Sequence, residues 1–154
     1  NLKGYKMSKY ILPQEELLRS SYWISNFLIR EGYHIDYTLK SLLEIDKFFS
    51  EKLNLILEND NNRNFIFLIS AYIGEVIKTH FNGNWELSRG IDLDDESIGI
   101  NFKSYNTIYP LNITLEIIQK KYTMQQYLKE KFNTEIWKFK IWIKIKKKVI
   151  KWFH

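Results

Sequence analysis

Tyr72-Ile73-Gly74-Glu75-Val76-Ile77 closes an apolar helix, and from it the chain runs through Asn82-Gly83 into Trp85 and a short β region. Phe65, Leu68, Ile69, Tyr72, Ile73, Val76, Ile77 and Phe81 trace a wide apolar face, so this helix is read as the central, most buried one. Gly74 within it costs about 1 kcal/mol relative to alanine, which implies a close backbone neighbour at that point. Asn82-Gly83 is a helix stop, and beyond it the apolar period drops from about 3.6 residues to about 2. Trp85 and Leu87 alternate with polar neighbours, and Ile98, Ile100 and Phe102 alternate with Gly99 and Asn101, which predicts two strands. A buried helix feeding a pair of strands points to an α+β fold.

Upstream, Pro13-Gln14-Glu15-Glu16 places proline and acids at a helix start, and Gly32 ends the pattern Leu17, Leu18, Ile24, Phe27, Leu28. A second helix is expected from Tyr37 to about Leu53, with Asp36 or Thr38 as its cap and Leu39, Leu42, Leu43, Phe49 and Leu53 at helical spacing. The asparagine-rich stretch 58–64 reads as a loop. Downstream, a third strand is expected over Tyr105–Tyr109. After Pro110, the residues Leu111, Ile113, Leu115, Ile117 and Ile118 begin as alternation, and the pattern becomes helical through Tyr127 to Phe132. The expected architecture is three N-terminal helices packed on a small antiparallel sheet, followed by C-terminal helical structure. It divides the chain into a leader over 1–12, one α+β domain over 13–133, and a basic aromatic segment over 134–154 expected to pack on the domain.

Composition narrows the function classes. An apolar content of 45% over 154 residues is enough to bury one core without covalent staples. With no cysteine there is no disulfide framework, thiolate nucleophile or cysteine-ligated zinc, and a cytoplasmic location is the expectation. The first residues carry Lys3, Lys6 and Lys9 but no apolar signal core, and Met7 reads as a native start. No apolar run approaches the ~20 residues that span a bilayer. The net charge of +5 is local: residues 134–154 hold seven lysines against Glu135, which leaves 16 basic and 17 acidic residues in the rest. A nucleic-acid-binding domain would spread its basic residues over a folded face.

The pieces Asp36-Tyr37-Thr38-Leu39 with Ser41-Leu42 and Ile45-Asp46, then Ala71-Tyr72-Ile73-Gly74-Glu75-Val76, then Gly83 with Trp85 occur in an order that resembles a family of small bacterial α+β proteins. The Ile98–Phe102 strand, Tyr109-Pro110 and Gln126-Tyr127-Leu128 continue the similarity, which covers roughly residues 33–132. The family pattern is a Y-x-G-E-V/I helix followed by a G-x-W strand. Its members are mostly uncharacterised, and many such domains are encoded beside polymorphic or contact-dependent toxins as immunity proteins. The resemblance implies helices on a small antiparallel sheet and a binding role, with a cognate toxin domain as partner and neutralisation by stoichiometric occlusion rather than catalysis. The lysine-rich segment lies outside the similarity.

Individual residues fit a binding protein better than an enzyme. Glu75 is read as a structural acid accepting hydrogen bonds from the Trp85 strand or as a plain solvent-exposed one, in preference to a catalytic carboxylate, since no second acid or histidine is spaced to pair with it on the helix. His80 is a helix-end residue, His34 and His154 stand far apart, and no metal site or cofactor is expected. If a basic toxin domain is the ligand, the expected contact residues are Glu86, Asp92, Asp94, Asp95 and Glu96 together with exposed Tyr105. There the aromatic ring supplies binding energy and the charges steer the encounter. The alternative is a peripheral membrane or nucleic-acid adaptor. The segment alternates like a strand over 137–145, and helical placement also works: on a helix, Lys140, Lys144, Lys147, Lys148 and Lys151 gather on one arc, while Trp137, Ile141, Ile145, Val149 and Trp152 fall on another.

Overall fold

In the computed structural model, which describes residues 13–58, 60–87 and 98–133, the chain is α+β, with three helices, a two-stranded antiparallel sheet and two further helices in that order. Helix α1 (Pro13–Arg30) has Glu15 and Glu16 in its first turn, where they face the positive end of the helix dipole. It ends through Gly32 at φ +93. The Gly32 and Tyr33 N–H groups donate to the carbonyls of Ile29 and Leu28, each at 3.0 Å, and close a Schellman turn between buried Leu28 and Tyr33.

Helix α2 (Ser41–Leu57) begins four residues later than the Tyr37 start expected from spacing. The reason is tertiary. Tyr37 sits at φ +62 with its N–H donating to the Tyr72 hydroxyl at 3.1 Å, and that hydroxyl shares a 2.6 Å hydrogen bond with Ser41 Oγ. The N-cap is Lys40, without a side-chain cap bond, rather than Asp36 or Thr38, which instead hold the preceding turn: Asp36 Oδ1 accepts from the Thr38 N–H and hydroxyl, and Thr38 Oγ1 accepts from the Ser41 N–H at 3.3 Å.

Helix α3 (Asn62–His80) is buried without interruption from Leu68 to Ile77, as expected of a central helix, and α1, α2 and α4 pack around it. It stops through Asn82 at φ +56, with the Gly83 N–H donating to the Lys78 carbonyl at 2.8 Å. Strands β1 (Asn84–Leu87) and β2 (Ile98–Asn101) pair antiparallel with Trp85 opposite Ile100 and Leu87 opposite Ile98.

Two expectations change downstream. The third strand over Tyr105–Tyr109 reduces to one bridge, in which Ile108 and Ile100 exchange backbone hydrogen bonds at 2.8 and 3.1 Å. Helix α4 (Pro110–Ile118) then begins at once, with no extended start. Its buried stripe is Pro110, Ile113, Thr114 and Ile117, spaced i, i+3, i+4 and i+7; Thr114 belongs to it because its hydroxyl bonds the Pro110 carbonyl at 2.8 Å. A polar residue in that stripe is what makes the sequence read as alternation. Helix α5 (Met124–Phe132) opens on a capping box between Thr123 and Gln126, ends at Asn133 in the left-handed conformation, and packs on α2.

Candidate functional site

Gly74, Glu75, Lys78 and Trp85 lock the ribbon onto the central helix. A Cβ on Gly74 would fall 2.2 Å from Trp85 Cη2, so the close neighbour of this glycine is an indole ring rather than backbone. The ring is oriented from its other end, where Nε1 donates to Glu75 Oε1 at 2.7 Å; the second carboxylate oxygen accepts from Lys78 Nζ at 2.8 Å. Both Glu75 oxygens are thereby satisfied and the carboxylate is buried at 4% exposure, which makes it a structural acid. Gly83 has a parallel role, since a Cβ there would lie 2.5 Å from Ile100 Cγ2 and 2.6 Å from the Phe102 ring. Strand β1 is seated by these contacts at both its start and its middle.

The two faces of the ribbon follow from its register. Trp85, Leu87, Ile98 and Ile100 point into the core, so Asn84, Glu86, Gly99 and Asn101 form the outer face. Glu86 is exposed there, opposite Gly99. Gly99 is itself buried, because Thr107 and Tyr109 cover it: a Cβ on it would lie 3.0 Å from Thr107 Cγ2 and 3.2 Å from Tyr109 Cε1. The partly exposed Tyr109 ring therefore lies on the same face as Glu86. Tyr109 was not among the residues expected from sequence; its signal was the glycine in β2, which leaves room for a ring against the strand.

Tyr105 is exposed as expected, but it stands elsewhere. Its ring packs edge-on against Phe81, Phe102 and Phe132, and Phe102 lies beside Gly83, at the Asn84–Asn101 end of the ribbon. The connection 88–97 leaves and re-enters at the opposite, Leu87–Ile98 end. Glu86 and Tyr105 thus belong to different ends of one element. Asp92, Asp94, Asp95 and Glu96 lie outside the described residues, as do Lys140, Lys144, Lys147, Lys148, Lys151 and Trp152 of the basic segment.

His80 is exposed at the end of α3 with its ring against Phe81, and His34 Nε2 lies 3.3 Å from Asp36 Oδ2 on the surface. Among the described residues no group of three or more histidines and acids could hold a metal ion, and no helix is long and apolar enough to cross a membrane. Asp46 lines a cleft of about 480 Å³ between α2 and the α4–α5 turn, but its oxygens accept the Met124 and Gln125 N–H groups at 2.7 and 3.2 Å. Burial holds this carboxyl above its ordinary value against the pull of those two donors. Its role is to cap α5 from a distant helix. Comparison with protein-family models, curated proteins and solved structures gives no match to this chain.

Proposed function

We propose that this chain is an immunity protein, which binds a cognate bacterial toxin domain one to one and occludes it without chemistry of its own. The observation that carries this reading is the antiparallel register of β1 and β2. It makes the ten residues 88–97 the connection of a hairpin whose base is pinned by the Trp85–Glu75 and Gly74 contacts. That connection holds Asp92, Asp94, Asp95 and Glu96 against Arg89 alone, and Glu86 adds an exposed carboxylate to its base. Acidic groups carried from a pinned base suit capture of a basic active-site cleft, because charge attraction speeds the encounter and selects the partner. Tyr109 on the same outer face supplies an aromatic contact. The resemblance of residues 33–132 to a family of small bacterial α+β proteins, many of them encoded beside toxins, points the same way, and a cytoplasmic site of action fits it.

The test is co-purification with the toxin domain encoded beside this chain, followed by titration calorimetry of the full chain and of a form lacking 134–154. A one-to-one complex of nanomolar affinity that suppresses toxin activity supports the proposal. Absence of binding at micromolar concentrations refutes that pairing, and salt-dependent binding to anionic vesicles or single-stranded nucleic acid through 134–154 would favour the adaptor reading instead.

A further inference from the structure

The hydrogen-bond phase of the ribbon fixes which backbone groups face its open edge. Ile100 exchanges both backbone hydrogen bonds with Ile108, so the Ile100 N–H and C=O point away from β1. Groups on one strand alternate in direction, so Gly99 and Asn101 point toward β1 and bond their partners Glu86 and Asn84. Trp85 and Leu87 are then the non-hydrogen-bonded positions, and their N–H and C=O groups face outward from β1. Among the described residues β1 pairs only with β2.

That edge opens on a groove. A cleft of about 300 Å³ lies at the start of β1, lined by Gly83, Asn84 and Trp85 together with Gln14, Glu15 and Leu18 of α1 and Glu75 and Lys78 of α3. The Glu75–Lys78 pair is internally neutralised, so the groove takes its sign from exposed Glu15, and the strand beside it from Glu86. A strand edge walled by a helix accepts an extended chain, whose backbone supplies hydrogen bonds that no described strand makes there while alternate side chains meet the groove and the outer face.

We infer that the toxin partner is held by strand addition: an extended basic segment of it pairs with the open edge of β1 through Trp85 and Leu87. This rests on the immunity reading and adds the mode of capture. Charge complementarity selects the occupant, because a residue of the added strand lying beside Glu86 on the outer face meets a carboxylate, and a side chain directed into the groove meets Glu15.

Amide hydrogen exchange on the full-length protein, alone and in complex with the toxin domain encoded beside it, tests this residue by residue. In the free protein the Asn84 and Glu86 amides exchange slowly and those of Trp85 and Leu87 quickly. In the complex the latter two slow on the order of 100-fold as they gain backbone partners. Leu87→Pro, which removes an outward N–H without touching the β1–β2 ladder, weakens the complex about tenfold, whereas Leu87→Val does not. A complex that forms with Trp85 and Leu87 still exchanging quickly overturns strand addition and leaves the immunity reading intact. Protection of both amides already in the free protein means that this chain covers its own edge, and it also overturns the inference. If no complex forms, that pairing is refuted, and strand addition of that toxin domain is refuted with it.

Discussion

Replacing Gly74 with alanine tests whether the Trp85 ring is pinned between helix and strand. The added Cβ would stand 2.2 Å from Cη2, 2.7 Å from Cζ2 and 3.1 Å from Pro110 Cγ, against an ordinary carbon–carbon separation of about 3.5–4.0 Å. The indole must therefore retreat by more than about 1 Å. Retreat is opposed at its other end by the 2.7 Å hydrogen bond to the Glu75 carboxylate, which a shift of that size would break. Overpacking costs about 1–3 kcal/mol and loss of a hydrogen bond to a charged acceptor about 1.5–3 kcal/mol, offset by about 1 kcal/mol of helix propensity gained by alanine. The net effect is a destabilisation of about 3 kcal/mol, or a fall in melting temperature of about 6–12 °C for a chain of this size. Urea unfolding followed by far-ultraviolet circular dichroism measures it, and the Trp85 Nε1–H resonance reports the ring directly. A Gly74→Ala protein as stable as the parent, with that resonance unmoved, would show that helix propensity dominates and that the ring is not confined.

Tyr72→Phe removes the hydroxyl that accepts the Tyr37 N–H and bonds Ser41 Oγ; a loss of about 2 kcal/mol is expected in urea unfolding, because a strained turn is left with an unpaired donor. Asp46→Ala exposes the first N–H groups of α5 and is expected to cost about 1–2 kcal/mol, with hydrogen exchange accelerated first in 124–127. Because burial raises the Asp46 pKa in the folded state, the folded form binds the proton more tightly than the unfolded form does. Its contribution is complete below the unfolded carboxyl value of about 3.9 and is lost as pH rises through the higher folded value. Stability measured across that window declines with pH on this account, and Asp46→Asn flattens the slope. Neutralising Asp92, Asp94, Asp95 and Glu96 to their amides is expected to slow association with the toxin domain about tenfold at low salt with little change in dissociation, which stopped-flow mixing at two ionic strengths resolves.

Much of the fold was written locally. Pro13 with the following glutamates and Gly32 bracket α1, Asn82-Gly83 stops α3, and the alternation around Trp85 and Ile100 marks both strands, because each signal depends on residues within a turn or a pleat of one another. The same local reading left Glu75 between a structural, an exposed and a catalytic acid; burial and the hydrogen bond from Trp85 Nε1 selected the first. It misplaced the start of α2 because the turn over residues 37–40 is held by a tyrosine hydroxyl 35 residues away from Tyr37. It also split α4, because apolar spacing alone cannot show that Thr114 satisfies its hydroxyl within the helix and joins the buried stripe.

The candidate surface was legible only in part. From sequence alone come the acidic character of 88–97, the exposure of Glu86 and the absence of a nucleophilic cysteine, since these follow from composition and residue type. The placement of Tyr105 among Phe81, Phe102 and Phe132, of Tyr109 against Gly99, and of the Trp85 and Leu87 backbone along the edge of β1 that no other described strand pairs was decided by the tertiary structure. Which way a strand directs its hydrogen bonds depends on a partner that arrives from elsewhere in the chain. Here the Ile100–Ile108 bridge sets that phase, and no periodicity within β1 encodes it.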